Sequence, residues 1–163
     1  MAASAARESN RRCALKAKEY FEGIRAEVVK VEQAREMLEK LKAREGAKAQ
    51  SYQAGGGSGD ASNPMDAILR RIDFEGRLSE RVKESSRSVD DACAILYGPD
   101  GKGGLAKLKG TRYADAVCMF YLQAETWADM ADVMCCSPQW CQSLCRAAFV
   151  YIDKVGWAKV RNA

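Results

Sequence analysis

Four of the chain's seven cysteines fall between Val133 and Cys145, in VMCCSPQWCQSLC, and the chain contains no histidine. Thiols at that density are the raw material of a structural zinc site or of a redox centre. Structural zinc needs four thiolates or imidazoles converging on a tetrahedron, usually from paired C-x(2–4)-C knuckles. Here Cys135 and Cys136 are adjacent, which makes joint chelation of one ion awkward, and Cys141 and Cys145 lie one helical turn apart with Cys141 on the core side. A site from Cys136, Cys141 and Cys145 would lack a fourth ligand unless water or Cys118 supplied it, so no metal is expected. The other chemistry is oxidation. Cys135 and Cys136 stand just before a predicted helix, where a helix N-terminus favours a thiolate, and oxidation there would damp whatever that helix does.

Other chemistries find less to work with. The absence of histidine removes the commonest general base and the commonest zinc ligand. There is no Gly-rich phosphate loop, no serine or cysteine nucleophile paired with a histidine base, and no dedicated carboxylate pair. The expectation is a protein that is not an enzyme and uses no cofactor. With 163 residues, 47% hydrophobic and 29% charged, the chain suits one small domain or two sub-domains. No apolar run approaches the length of a spanning helix, and MAASAARESNRRC has no apolar stretch after its charges, so a cytoplasmic protein with reduced thiols and no membrane partner is expected. The net charge of +4 is spread thinly: residues 1–50 carry 12 Lys and Arg against 8 Glu, residues 51–103 carry 7 against 9, and residues 104–163 carry 7 against 5. That permits nucleic-acid binding without demanding it.

The elements that must position these residues read as all-α. Between Leu15 and Leu41, the residues Tyr20, Ile24, Val28, Val31, Leu38 and Leu41 recur at three- and four-residue steps, predicting a long amphipathic helix within residues 1–44 that follows a disordered start. Residues 45–63 are rich in Gly, Ser and Ala and read as a flexible linker, Gly55 to Gly59 included. Asn63 as cap and Pro64 at the first helical position open a second long helix over 64–97, with an apolar stripe of Met65, Ile68, Leu69, Ile72, Leu78, Val82, Val89, Cys93 and Leu96. The proline and glycines of YGPDGKGG end it. The two helices suggest an antiparallel, coiled-coil-like hairpin and a route to a homo-oligomer.

From 104 to 155 the pattern shortens. Tyr113, Ala116, Val117 and Phe120 predict a short helix that Thr111 can cap. Trp127, Met130, Ala131 and Met134 form the apolar face of the next. After a three-residue break, Ser137 and Pro138 open a helix whose inward positions are Cys141, Leu144, Ala148 and Ile152. Two helices across so tight a turn make a helix-turn-helix, whose second helix can enter a major groove. The turn between them falls on Cys135 and Cys136. Residues 156–163 form a tail in which Trp157 either covers the bundle or stands exposed.

The segment Thr126 to Ile152 resembles, without a gap, the helix-turn-helix of region four of bacterial sigma factors. Thr126 matches the residue opening the first helix, Met130 and Ala131 its core positions, Ser137 the cap of the recognition helix, and Cys141, Leu144 and Phe149 its apolar positions. Cys135 stands at the turn position that the family usually fills with glycine, so the resemblance implies a left-handed backbone there, at a cost of about 1 kcal/mol for a non-glycine residue. Upstream, YADAVCMFYLQAETW and NPMDAILRRIDFEGRL resemble small phage proteins of the RinA-like and ArpU-like late transcriptional regulators. The resemblance spans roughly residues 16 to 155. It implies a regulator of phage or prophage late genes that binds double-stranded DNA and acts with host RNA polymerase. The implied contacts are Thr126, Ser137, Pro138, Gln139, Trp140, Gln142, Ser143 and Arg146. Gln139 and Gln142 suit adenine edges, and Arg146 suits guanine or phosphate. With one cation on that helix, further affinity would come from dimerisation, from polymerase, or from Lys107, Lys109, Arg112, Lys154, Lys159 and Arg161. The alternatives are a small-terminase-like DNA-packaging protein and a coiled-coil interaction protein without DNA affinity.

Overall fold

The computed structural model describes residues 16–51 and 64–163, with the side chains of 47–51, 64 and 67 excepted. The proposed Asn63 cap, the glycines 55–59 and the disordered start lie outside the described residues. Among the described residues every regular element is helical: α1 Ala17–Ser51, α2 Pro64–Tyr97, α3 Gly104–Leu108, α4 Thr111–Val117, a π-helical turn Cys118–Leu122, α5 Trp127–Val133, α6 Pro138–Val155 and α7 Trp157–Arg161. The expected all-α class with a long helical hairpin is the fold observed. None of these helices is long and apolar enough to cross a membrane.

The chain divides into two compact units, one joining the residues up to Val28 with Ser86–Ala163, the other Val29–Ser85. In the second unit α1 and α2 run antiparallel, since Glu45 pairs with Arg71 at 2.8 Å and Lys42 with Glu75 at 3.3 Å. Among the described residues of this unit, Val31, Leu38 and Leu78 are the buried apolar ones. The helix therefore continues past Glu45 to Ser51, into the stretch whose composition suggested a linker. Glycine and alanine there remain helical because Glu45 gains an interhelical partner and Ala is the best helix former. Ile68, Leu69 and Ile72, expected on the inward stripe, are instead 40%, 52% and 51% exposed.

The first unit holds the main core. The start of α1 contributes Ala17, Phe21 and Ile24, the end of α2 contributes Ala92, Ile95 and Leu96, and the remainder comes from α3 through α7. Phe21 stacks on Phe149 with ring centroids 5.6 Å apart and meets Tyr121 edge-on at 6.2 Å. Trp157 lies 5.0 Å from Tyr20 and Val160 is fully buried, so the C-terminal segment forms a short helix that closes the core. Thr111 is the first residue of α4, whose N-cap is Gly110, so it does not cap that helix. A glycine suits that cap because its φ is 125°, a value L side chains rarely adopt.

After Val117 the i→i−4 ladder gives way to wider turns, with Gln123 N–H donating to the Cys118 carbonyl at 3.1 Å. The extra residue per turn rotates the helix, so that Tyr121 and Leu122 point into the core while Phe120 is only half-buried. Cys93 is likewise half-buried, and burial raises its thiol pKa, in keeping with its role as a small apolar residue.

Candidate nucleic-acid interface

Helices α5 and α6 form a two-helix unit whose turn is built by local hydrogen bonds. Thr126 is extended (φ −84°, ψ 159°) and its hydroxyl accepts from the Asp129 amide at 3.2 Å, capping α5. Ser137 is likewise extended (φ −77°, ψ 153°) and its Oγ accepts from the Trp140 amide at 3.2 Å, with Pro138 at the first helical position. Between the caps, Met134 ends α5 and Cys135 takes φ 50°. The Cys136 amide donates to the Ala131 carbonyl at 3.0 Å and the Cys135 amide to the Asp132 carbonyl at 3.3 Å. This pair of bonds around a left-handed residue is the Schellman arrangement, which satisfies carbonyls that the end of a helix otherwise leaves open. Arg112 adds a third tie by donating to the Met134 carbonyl at 3.0 Å.

The position that usually demands glycine is thus held by a cysteine in a left-handed conformation. Cys135→Gly is expected to raise stability by about 1 kcal/mol, the cost of holding an L side chain there, and Cys135→Val to lower it by at least as much. Denaturant unfolding of the reduced protein measures both, and a Gly variant less stable than the native chain would show that the side chain contributes more than the strain removes.

All eight candidate contact residues, Thr126, Ser137, Pro138, Gln139, Trp140, Gln142, Ser143 and Arg146, are exposed. Gln139, Gln142, Ser143 and Arg146 follow i, i+3, i+4, i+7 and so share one stripe of α6. The opposite face, Cys141, Leu144, Cys145, Ala148, Phe149 and Ile152, is buried. The hydroxyl of Ser143 donates to the Gln139 carbonyl at 2.9 Å, and the oxygens of Thr126 and Ser137 are occupied as caps. These three therefore hold the backbone, while Gln139, Gln142 and Arg146 present free functional ends on the stripe. Trp140 stands 53% exposed beside it, with Val133 and Val150 at 69% and 63%. The two valines extend the surface in a way that polar-residue reasoning overlooked.

A shallow groove beside the stripe is lined by Lys109, Ser143, Arg146, Ala147 and Val150. Lys109 donates to the Ala147 carbonyl at 2.8 Å and lies over the rings of Tyr113 and Tyr151, 4.8 and 5.0 Å from their centroids. The groove thus brings Lys109, one of the cations the sequence offered, to the side of Arg146 from the turn that ends α3. Of the other cations considered, Lys107 donates to the Ala163 carbonyl at 2.7 Å, and Arg161 lies 3.7 Å from Asp91. Lys154 and Lys159 are exposed.

The unit is braced from below by Arg25. Its guanidinium donates to the carbonyls of Phe120 and of Glu125, the latter at 3.1 Å, and lies 3.7 Å from the centroid of the Phe120 ring. Phe120 in turn stacks on Trp127, the first residue of α5, at 3.6 Å. Trp127 is therefore part of the packing and not of the exposed stripe.

Among the described residues no group of three or more potential ligands is placed to hold a metal ion. Cys141 and Cys145 are buried, and burial pushes their thiols up to about 11 and about 12, with the Cys136 thiol adding to the first and Cys141 to the second. Both are neutral at physiological pH and occupy apolar positions of α6, as the resemblance implied for Cys141. What this surface offers is a short polar edge on α6 with two amides and Arg146, beside which Lys109 supplies a second cation. No family model matches the chain, and no curated protein or solved structure matches it significantly.

Proposed function

We propose that this protein is a DNA-binding transcriptional regulator of phage or prophage late genes, acting with host RNA polymerase, and that α6 is its recognition helix. The observation that carries the reading is the exposed stripe Gln139, Gln142 and Arg146, which begins in the first turn after a capped, tightly hydrogen-bonded interhelical turn. Side chains near the N-terminal end of such a helix are those that reach base edges. The link to late genes and to polymerase rests on the sequence resemblance alone.

The electrostatics set the expected strength. Arg146 and Lys109 are the cations at the groove, and Asp129 and Asp132 stand exposed on α5. With so few phosphates neutralised the salt dependence is shallow and one copy binds weakly. Pairing of copies supplies the remainder. The exposed residues Ile68, Leu69 and Ile72 of the second unit give that pairing an apolar surface.

Selection of bound duplexes from a random pool tests the assignment, with the native chain and a variant carrying Gln139→Ala, Gln142→Ala and Arg146→Ala. The native chain is expected to enrich a short motif. At about 1–3 kcal/mol per good base contact, the triple variant should lose it and bind the enriched duplex at least about a hundredfold more weakly. An enriched motif that survives the triple change would sink the recognition-helix assignment. The same apolar stripe also favours the packaging reading, and light scattering separates the two: a dimer or monomer supports the regulator, a ring-sized assembly the terminase-like protein. Flat anisotropy at about 50 mM salt, where electrostatic binding is strong, would leave a helical interaction protein without DNA affinity.

A further inference from the structure

Cys136 holds two positions in the turn. It is the second residue past the end of α5, where its amide closes the Schellman pair, and it immediately precedes the Ser137 cap of α6. The residue before an N-cap commonly packs on the fourth residue of the helix as an apolar staple. Here that fourth residue is Cys141, and the two Sγ atoms lie 3.3 Å apart. A staple usually made by two hydrocarbon side chains is made by two thiols in contact.

We propose that Cys136 and Cys141 are a thiol pair that closes to an intramolecular disulfide by exchange with low-molecular-weight disulfides. Three observations carry this. The sulfurs need to approach by little more than an ångström to reach the bonding distance of about 2 Å. The backbone on each side is fixed, the Cys136 amide bonded to Ala131 and the Cys141 amide to the Ser137 carbonyl at 3.1 Å, so the pair stays in register. Access is asymmetric: Cys136 is half-buried and open to a reagent, whereas Cys141 has no exposed surface. An incoming disulfide therefore meets Cys136 first, and Cys141 meets only Cys136.

The exchange balances in two steps. The Cys136 thiolate attacks one sulfur of oxidised glutathione, forming a protein–glutathione disulfide and releasing one glutathione thiolate, which takes up a proton. Cys141 then gives its proton to solvent, its sulfur attacks Cys136 Sγ, and the second glutathione thiolate leaves as the Cys136–Cys141 bond forms. Two protein thiols are oxidised and one glutathione disulfide is reduced to two thiols. The loop so closed contains Ser137, Pro138, Gln139 and Trp140, half of the candidate contact residues. The bond forms or breaks without reference to what that edge binds, so the pair stands apart from the DNA reading.

The test is a titration of the folded full-length chain in glutathione redox buffers, quenched by acid, with thiol counting and peptide mapping by mass spectrometry. The expected result is the loss of two titratable thiols, a mass lower by two hydrogens, and a mapped Cys136–Cys141 link without retained glutathione. Cys135→Ser should leave this unchanged, and Cys136→Ser should abolish it. Cys141→Ala should instead trap a stable glutathione adduct on Cys136. Because Cys141 is buried and its truncation also weakens the core, the native map decides by itself. A persistent adduct on Cys135 or Cys136 with Cys141 free, or a link between other cysteines, overturns the proposal.

Discussion

Phe21→Ala is expected to cost about 3–5 kcal/mol, the range for emptying a buried phenylalanine site, out of a total stability of about 5–15 kcal/mol for a domain of this kind. Phe21 has no exposed surface and sits among four rings, Tyr20, Phe149, Tyr121 and Trp157, at centroid distances of 5.2, 5.6, 6.2 and 6.4 Å. Those rings come from α1, the π-helical turn, α6 and α7. One side chain on α1 therefore ties the first turns of that helix to the π-helical turn, α6 and α7. No neighbour can collapse into the space without leaving its own aromatic partners, so the upper part of the range applies. Guanidinium unfolding of the full chain should show the loss as a lower midpoint. Met37→Ala, at a side chain 57% exposed on the same helix, should cost less than about 1 kcal/mol. Equal losses for the two variants would show that α1 is held by its whole length and not by an aromatic anchor.

Phe21 also marks where sequence reasoning met its limit. A 3.6-residue period places positions 20 and 21 almost equally well on an apolar stripe with 24 and 28, and the sequence pattern runs through Tyr20. The choice falls to Phe21 because Phe149 and Tyr121 lie on its side, which is tertiary information. The same holds at the π-helical turn: Tyr113, Ala116, Val117 and Phe120 keep an α period, but one inserted residue turns Tyr121 and Leu122 inward. What local chemistry decides was legible. The helix starts behind Thr126 and Ser137 and the buried Cys141, Leu144, Ala148 and Ile152 follow from caps and spacing within a few residues, while the left-handed backbone at Cys135 was implied by the resemblance. Ile68, Leu69 and Ile72 were misplaced for the opposite reason, since an apolar stripe states that a face wants cover without stating what covers it.

Stability should fall steeply in alkali while remaining nearly flat between about pH 6 and 8, because the chain has no histidine to titrate there. The groups responsible include Cys145, pushed up to about 12 by burial and by Cys141 beside it, and Cys141, pushed up to about 11 by burial and by Cys136, with a backbone hydrogen bond and Arg112 opposing; burial also raises Tyr97, Cys118 and Cys93. Tyr121 joins them at about 12, again through burial, with Cys145 and Glu22 adding and Arg25 opposing. In each case the folded protein holds the proton more tightly than the unfolded chain does. The stabilisation is therefore complete below the unfolded value, near 9 for the thiols, and is lost as pH rises through the folded value. At about 1.4 kcal/mol per pH unit for a single group, Cys145 alone removes about 2 kcal/mol by about pH 10.5, and Cys141 and Tyr121 act in the same direction. Unfolding free energies measured in reductant from pH 7 upward should thus bend downward beyond pH 9. Cys145→Ala, whatever its own cost at neutral pH, should make that bend shallower by one proton's worth. A native curve that stays level beyond that point would mean that these thiols ionise without leaving the core, and an unchanged slope in the variant would place the titration elsewhere. The buried face of α6 includes two neutral thiols, so the stability of the protein is tied to keeping them protonated, and the half-buried Cys136, in contact with Cys141, is the member of the cluster open to solvent.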